Sequence, residues 1–282
     1  MFNFIFYALI LGVSVNAYAA EVSIKINEDI NALADYHKGD EDKPAVLILH
    51  GILQTKNFST IKLISNYLVE EDYTVLAPTL SLGIDSRVES LSCEAIHTHS
   101  MQSDIAEIST WIQWLKKKTN KSIILIGHSA GATQLMAYLD QYKGEIEQPE
   151  KVILISLAYF ANQPNSYTSS ESINKARKSL SNNVIKPDKY GFTYCKEYIS
   201  TPDAYLSYIE WSRDKVTEKL LELDSSFSLL FGSADKRVDQ SWPPALKEKG
   251  LDVTIVKDAN HFFHAFHEFD LIDYIAGVLE KD

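Results

Sequence analysis

Apolar residues along this chain fall into two alternating patterns, short continuous runs and longer stretches at helical spacing. Residues 44–51 form a continuous apolar run that ends in His-Gly, which is typical of a strand covered on both faces. Residues 60–70 carry apolar side chains at helical spacing, and another strand-like run follows at 73–78. A strand, a helix and a strand in this order predict a parallel pair with a right-handed crossover.

The alternation continues toward the C-terminus and is preceded by a pattern of a different kind. Residues 22–26 alternate in polarity and, with residues 31–36, predict an antiparallel hairpin. The repeated strand–helix units after it predict an α/β fold with a doubly wound, mainly parallel sheet and helices on both faces. The further predicted elements are strands at 122–126, 151–156, 227–235 and 251–256, and helices at 104–118, 130–142 and 262–279.

The alternation fails between residues 157 and 225. This segment is polar, with helical pieces at 172–180 and 202–213, and no strand is predicted in it. We interpret it as a helical lid insertion over the sheet. Its many aromatic residues would suit an acyl chain or an aromatic ester if they face the site, but packing within the lid explains them equally well.

The N-terminus has the features of a secretory signal. Residues 1–15 are apolar, too short a run to span a bilayer comfortably, and Ala17-Tyr18-Ala19 is an A-x-A cleavage signal. We expect a signal peptide over residues 1–19, export to the periplasm or the medium, and a mature domain over residues 20–282 with no stable membrane insertion. No Lys or Arg precedes the apolar run, so an uncleaved N-terminal membrane anchor is the alternative.

The net charge argues against one class of partner, and the cysteine content indicates a disulfide. With 27 basic against 38 acidic side chains the net charge is −11, which argues against a nucleic-acid partner, because phosphates are bound mainly by Lys and Arg. Cys93 and Cys195 are the two cysteines. In an exported protein an even pair predicts a disulfide, whereas a metal site would want more Cys or His at close spacing.

One short motif points to chemistry. Gly127-His128-Ser129-Ala130-Gly131 is G-x-S-x-G, and it directly follows the strand-like run at 122–126. A serine hydroxyl is a poor nucleophile at neutral pH, so it needs a base, an exposed geometry and donors for the oxyanion it creates. Glycines on either side permit the sharp strand-to-helix turn that exposes the hydroxyl, so Ser129 is the candidate nucleophile.

Three further motifs stand at predicted strand ends. They are His50-Gly51, the run 232–235 that ends in Asp235, and the run 258–261 that ends in His261. With the motif at 127–131 they make the chain resemble the α/β-hydrolase superfamily of serine esterases and lipases, from about residue 40 to the end. The order Ser, Asp, His along the chain is the order of that family.

The resemblance implies a role for each residue. His261 would take the proton from Ser129 and return it to the leaving group, and Asp235 would hold the His261 imidazole in the productive tautomer. The oxyanion would be bound by the backbone N–H groups of Ile52 and Ala130. The start of the predicted helix at 130 would also favour developing negative charge.

Other residues compete for these roles. Asp239 or Asp258 could be the acid in place of Asp235, and His264 and His267 compete with His261. His128 is interpreted as a packing or hydrogen-bonding residue. The spacing H-x-x-H-x-x-H turns the three histidines at 261–267 around a helix, so we expect neither a metal nor any other cofactor.

A long loop, residues 79–103, is expected to overhang the active-site edge because it follows a predicted strand. It contains Cys93, His97 and His99. A bond from Cys93 to Cys195 would tie it to the insertion. The loop would then be either a fixed rim that shapes the substrate pocket or a stabilised surface loop.

These expectations together describe an exported serine hydrolase that cleaves carboxylic esters of small molecules through an acyl-enzyme. Esters come before amides because they are easier to cleave and no peptide-binding signature is present. Fold and triad do not fix the leaving group, so a peptidase, a thioesterase and an acyltransferase are alternatives, as is a binding protein that has lost activity.

Overall fold

The structure is a computed structural model that describes residues 20–223 and 226–281. The segment expected to be a signal peptide, residues 1–19, lies outside the described residues. The strands in chain order are β1 (Ala20–Lys25), β2 (Asn31–His37), β3 (Ala45–Leu49), β4 (Thr74–Thr79), β5 (Ile96–His97), β6 (Ile123–His128), β7 (Lys151–Ile155), β8 (Asp188–Phe192), β9 (Cys195–Ser200), β10 (Phe227–Gly232) and β11 (Asp252–Val256).

Eight of these strands form one sheet in the order β1-β2-β4-β3-β6-β7-β10-β11. The two N-terminal strands make the predicted antiparallel hairpin, and β2 pairs antiparallel with β4. All other pairs in this sheet are parallel, which confirms the doubly wound, mainly parallel sheet. The helices are α1 (Ser59–Glu70), α2 (Met101–Thr119), α3 (Ala130–Gln141), α4 (Ser170–Ser181), α5 (Pro202–Ile209), α6 (Arg213–Glu222), α7 (Trp242–Glu248) and α8 (His267–Leu279).

The central strands are apolar throughout because each face of the sheet has its own core. In β3, Val46 and Ile48 belong to the core under α1 and α8, whereas Leu47 and Leu49 point to the opposite core under α2 and α3. Alternate residues of a strand point to opposite faces, so a strand covered on both sides needs apolar residues at every position. The continuous run at 44–51 reflects this double cover.

Two helix starts differ from the predicted ones. The α2 helix begins at Met101 rather than at 104, because Ser100 and Ser103 form a capping box that satisfies the first-turn N–H groups. The α8 helix begins at His267 rather than at 262. Residues before it turn instead, with positive φ at Asp258, Phe263 and Ala265.

The prediction that residues 157–225 contain no strand is wrong. The β8 and β9 strands form an antiparallel hairpin there, and β5 from the loop at 79–103 joins β9 in parallel to complete a three-stranded sheet. Tyr190, Phe192 and Tyr198 are buried, while charged residues such as Lys189 and Glu197 are exposed. Strands this short with one charged face give a weak sequence pattern.

The predicted disulfide between Cys93 and Cys195 is present, with the two Cα atoms 5.4 Å apart. It joins the loop at 79–103 to the first residue of β9, next to the β5–β9 pairing. The loop and the segment between β7 and β10 are therefore held together by a covalent bond and by backbone pairing. No helix in the described part of the chain is long and apolar enough to cross a membrane.

Candidate active site

Four of the residues selected from the sequence lie at one edge of the large sheet. His50 follows β3, Ser129 follows β6, Asp235 follows β10 and His261 follows β11. Because these strands are parallel, their carboxyl ends meet at the same edge, where loops can converge. The topology therefore brings together side chains that are far apart in sequence.

Ser129 sits on a strained turn between β6 and α3. Its backbone has φ 56° and ψ −123°, a region that non-glycine residues rarely adopt. A Cβ at Gly127 would lie 2.6 Å from the Cα atom of Ala132, and a Cβ at Gly131 would lie 2.4 Å from the carbonyl oxygen of His50. Both glycines are needed because other backbone segments pass too close for a side chain, and this close packing holds the turn.

Three side chains form a continuous hydrogen-bonded chain. Ser129 Oγ lies 2.8 Å from His261 Nε2, and His261 Nδ1 lies 2.7 Å from Asp235 Oδ2. A carboxylate only accepts, so Nδ1 carries the proton and Nε2 is left to accept from the Ser129 hydroxyl. The Asp235 side chain is 0% exposed, and its other oxygen accepts a 2.8 Å hydrogen bond from the Arg237 backbone N–H.

The competing acids and histidines are engaged elsewhere. Asp239 pairs with Arg213 at 2.6 Å, and Asp258 is exposed. His267 bonds to Asp270 at 2.7 Å, and His264 is exposed and stacks on Phe262. The three histidines at 261–267 do not share a helix, because α8 begins at the last of them. Within the described residues no group of three His, Cys, Asp or Glu could hold a metal ion.

The backbone of His261 is held by two side chains. His128 Nε2 donates to the carbonyl oxygen of His261 at 3.0 Å, and Ser156 Oγ donates to the same oxygen at 2.9 Å. Burial, with a smaller contribution from the neighbouring His261, lowers the pKa of His128 to about 3, so its ring is neutral. Ser156 was not singled out from the sequence, although it directly follows β7 and so lies at the same edge as the other strand-end residues.

Ile52 and Ala130 line the same cavity as Ser129 and His261. Ala130 is the first residue of α3, where backbone N–H groups have no acceptor within the helix. A Cβ at Gly51 would lie 3.3 Å from the Cβ atom of Ser129, so the backbone before Ile52 passes close to the nucleophile. Both peptides are thus adjacent to Ser129.

His50, which precedes Gly51 and Ile52 in the chain, is buried. Its Nε2 accepts a 3.0 Å hydrogen bond from the Leu80 backbone N–H, which assigns the ring proton to Nδ1. Burial, and to a smaller extent the nearby Arg87 guanidinium, lower the pKa of His50 to about 3. The ring is therefore neutral, and within the described residues it makes no hydrogen bond to Ser129 or His261.

The cavity beside Ser129 is partly open to solvent. One wall comes from the segment after β7, and Tyr194, in the turn between β8 and β9, donates from its hydroxyl to the Ile52 carbonyl oxygen at 3.3 Å. The lining residues are Ile52, Ser129, Ala130, Ala158, Phe160, Gln163, Pro164, Asn165, Ser166, Thr193, Tyr194, Arg237 and His261.

Most aromatic residues of the segment at 157–225 pack against one another instead of lining this cavity. Tyr190 stacks on Tyr205, and Phe192 contacts Tyr198 and Tyr208. Of the aromatic side chains in this segment, Phe160 and Tyr194 are the ones that reach the cavity beside Ser129. The aromatic content is therefore explained mainly by packing.

The loop at 79–103 contributes none of the residues that line the cavity. His97 stacks on Tyr198 at 4.2 Å between ring centroids, and His99 Nδ1 lies 3.3 Å from Asp104 and 2.6 Å from the Tyr208 hydroxyl. Both histidines are buried in contacts that join the loop to the β8–β9 hairpin and to α5. The loop packs against the β8–β9 hairpin that carries Tyr194, and so it supports one wall of the cavity without lining it.

Comparison with known proteins identifies what the chain is similar to. A family model described as alpha/beta hydrolase fold matches residues 44–157. Est1E from Butyrivibrio proteoclasticus has a TM-score of 0.65 and 14% sequence identity, over 92% of this chain and 98% of its own. No curated protein sequence matches the chain.

Two other solved structures show the same likeness. Alpha/beta hydrolase domain-containing protein 10 from mouse has a TM-score of 0.63 and 13% identity, over 93% of this chain and 99% of its own. A thioesterase domain from the curacin biosynthetic pathway has a TM-score of 0.59 and 17% identity, over 93% and 98%. Identities this low concern the fold, so the reaction must be argued from this chain's own residues.

Proposed function

The chain has the α/β-hydrolase fold, and we propose that it is a serine hydrolase that cleaves carboxylic esters through an acyl-enzyme on Ser129. The observation that carries the proposal is the hydrogen-bonded chain from Ser129 Oγ through the His261 imidazole to Asp235. This arrangement provides a nucleophile, a neutral base within reach and a group that fixes the tautomer of the base.

Acylation follows from this geometry. Ser129 Oγ attacks the ester carbonyl carbon while its proton moves to His261 Nε2, and the carbonyl oxygen becomes an oxyanion. The N–H groups of Ile52 and Ala130 stabilise that oxyanion, and Asp235 stabilises the imidazolium. When the tetrahedral intermediate collapses, the bond to the alcohol oxygen breaks, and the alcohol leaves with the proton from His261.

Deacylation repeats these steps with water. His261 takes a proton from water, the hydroxide oxygen attacks the acyl carbon, and the Ser129 oxygen leaves and regains its proton. The products are a carboxylic acid, an alcohol and the original enzyme, so one ester and one water molecule are consumed. The steps use protein groups alone and need no cofactor.

The choice of esters rests on chemistry. An alkoxide is a better leaving group than an amide nitrogen, and an esterase such as Est1E and a thioesterase domain are among the similar structures. A thioester is the alternative substrate that the same triad would cleave. We keep the interpretation of the segment at 157–225 as a lid, supported by the cavity wall that it forms.

We also propose that the protein is exported. The apolar run and A-x-A sequence within residues 1–19 support this, as does the disulfide between Cys93 and Cys195, because such bonds persist in oxidising compartments. Detection of the mature protein without residues 1–19 outside the cytoplasm tests export; a full-length, membrane-bound chain would favour the anchor instead.

A fluorophosphonate probe tests the enzymatic proposal. We expect it to label the wild-type protein and not Ser129→Ala. The matched control is Ser181→Ala, which removes an exposed hydroxyl outside the cavity and is expected to leave labelling unchanged. Folded wild-type protein that takes no label and does not hydrolyse p-nitrophenyl esters would instead indicate a binding protein.

A substrate series then separates the hydrolase classes. The protein is assayed on p-nitrophenyl esters of increasing acyl length, on a thioester with the same acyl group and on the matching anilide. Esters are expected to have the highest kcat/KM. A thioester preferred by more than about tenfold would assign the alternative.

A further inference from the structure

Arg237 brings a cationic group into the cavity beside Ser129. It lines the cavity together with Ser129 and His261, and its backbone N–H is bonded to Asp235. Its guanidinium carbon lies 4.9 Å from the ring centroid of Tyr194 and 4.9 Å from that of Phe262. The two rings hold the guanidinium in the cavity that Ser129 lines, and the hydrogen bond from the Arg237 backbone N–H to the Asp235 carboxylate fixes the backbone from which the side chain extends.

The guanidinium N–H groups have no acceptor within residues 20–223 and 226–281. Among the described residues, the Arg237 side chain makes no hydrogen bond or ion pair, while Arg213 is paired with Asp239 and Lys219 with Asp140. The residue is half-buried, and contact with ring faces leaves the edge of a guanidinium free to donate. An arginine in such a place is a ready binding site for a planar anion.

The charge of the cavity contrasts with that of the chain. The chain has a net charge of −11, yet none of the residues that line this cavity is Asp or Glu. The nearest carboxylate of the site, Asp235, is 0% exposed and is bonded to His261. A negatively charged substrate group would therefore meet Arg237 without a competing carboxylate in the lining.

We propose that Arg237 binds a carboxylate carried by the substrate, so that the preferred substrate is a carboxylate-bearing ester. A guanidinium can donate two parallel hydrogen bonds to a carboxylate, which gives both strength and orientation. The carboxylate can belong to either half of the ester, so the acyl part and the alcohol part are tested separately. The inference rests on the proposed ester hydrolysis for its substrate class.

Paired substrates test the acyl side and the alcohol side. For the acyl side, kcat/KM is measured for mono-p-nitrophenyl succinate and for p-nitrophenyl pentanoate, which is neutral and of similar length. For the alcohol side, 4-(butanoyloxy)benzoate is compared with its methyl ester. The quantity of interest is the ratio of kcat/KM for the anionic ester to that for its neutral partner.

We expect this ratio to fall about tenfold or more in Arg237→Met in at least one pair, and to recover in part in Arg237→Lys, because a charge-assisted hydrogen bond is lost and then partly replaced. The matched control is Lys236→Met, which removes an adjacent exposed cation that does not line the cavity and is expected to leave both ratios unchanged. If the role of Arg237 were purely structural, the substitution would lower kcat/KM for both substrates of a pair by the same factor. Unchanged ratios in Arg237→Met therefore overturn the inference.

A binding experiment separates this inference from the proposed function. Calorimetric titration of Ser129→Ala with monomethyl succinate is repeated in Ser129→Ala/Arg237→Met, with folding checked by circular dichroism. Arg237-dependent binding, together with a wild-type protein that hydrolyses no ester, would refute the proposed function and support the anion site. If the wild-type protein hydrolyses esters, the kcat/KM ratios are unchanged in Arg237→Met and no Arg237-dependent binding is found, the proposed function is supported and the anion site is refuted.

Discussion

The His50 imidazole donates from Nδ1 to the carbonyl oxygen of Gly51 over 2.7 Å. That carbonyl belongs to the same peptide unit as the Ile52 N–H, and the two groups of a trans peptide point in opposite directions. The Gln54 N–H donates to the same oxygen at 3.2 Å. The direction of the proposed oxyanion donor is therefore set by the buried His50 side chain, although the Ser129 hydroxyl is hydrogen-bonded to His261 and not to His50.

Replacing His50 with Phe is expected to lower kcat by about tenfold with a smaller change in KM. The reason is that the Ile52 N–H would be less well aligned, although complete loss of an oxyanion donor costs on the order of 100-fold or more. Steady-state kinetics check this, with thermal unfolding measured alongside. A folded variant with wild-type kcat would show that the hydrogen bond does not orient the peptide.

The Asp235→Asn variant is expected to lose activity by a factor on the order of 10⁴. Because the Arg237 N–H needs an acceptor, the new amide oxygen would face it and the NH₂ group would face His261 Nδ1. The imidazole proton would then move to Nε2, which could no longer accept from Ser129. Asp239→Asn is the control, since that carboxylate pairs with Arg213, and equal losses in both variants would contradict the assignment.

Glu107 is expected to make the protein less stable at neutral pH than at about pH 4.5. Burial raises the pKa of Glu107 to about 7, against which the two hydrogen bonds from Ser81 act. A folded pKa above the unfolded one gives stability that is complete below about pH 4.5 and is lost as the pH rises through about 7.

Replacing Glu107 with Gln removes this titration. Relative to the variant, the wild-type free energy of unfolding should fall by up to ~3 kcal/mol between pH 4.5 and 8. Urea unfolding of both proteins at several pH values measures the difference. A constant difference over this range would show that the Glu107 carboxyl group is ionised throughout.

Buried histidines have the opposite effect on the pH dependence of stability, and we expect them to determine how stability changes in acid. Burial is the largest cause that lowers the pKa values of His50 and His128 to about 3 and that of His97 to about 4. Groups with a folded pKa below the unfolded one stabilise the protein above about pH 6.5, and this contribution is lost as the pH falls toward the folded values.

Three such histidines outweigh the single opposing Glu107, so Tm should decrease between pH 7 and pH 5. The His97→Phe variant keeps a ring against Tyr198 but cannot titrate, and its Tm should therefore decrease less steeply. Melting curves recorded by circular dichroism at several pH values measure both slopes. Parallel wild-type and variant curves would count against a neutral, buried His97.

Removal of the disulfide, in Cys93→Ala/Cys195→Ala, is expected to lower the free energy of unfolding by about 2–4 kcal/mol, because the bond closes a long loop in the unfolded chain. The two residues are 102 positions apart. The β8–β9 hairpin that carries Tyr194 would also lose a restraint, so KM for esters should rise. Urea unfolding and kinetics measure the two effects, and an unchanged unfolding midpoint would refute the first.

The sequence was sufficient for the parts of the molecule that follow from local pattern. Continuous apolar runs predicted β3, β6 and β7, helical spacing predicted α1 and α2, and a run of good helix formers predicted α3. The G-x-S-x-G motif then indicated Ser129, and the resemblance to the α/β-hydrolases implied Asp235 and His261, which all stand at or just after the ends of predicted strands. The sequence pattern was less informative for β8 and β9, because their short alternating runs resemble the sequence of a polar loop.

By itself, then, the sequence determined the order along the chain of the strands of the large sheet, the doubly wound character of that sheet and the positions at which reactive side chains stand. Only the tertiary structure decided which distant groups meet: Asp235 and not Asp239 or Asp258 beside His261, and Ser156 and His128 on the His261 carbonyl. It also placed Arg237 in the cavity without an acidic partner among the described residues. The physical reason is that periodicity records only whether a position is buried, whereas a hydrogen bond or an ion pair depends on distances between loops that the fold alone sets.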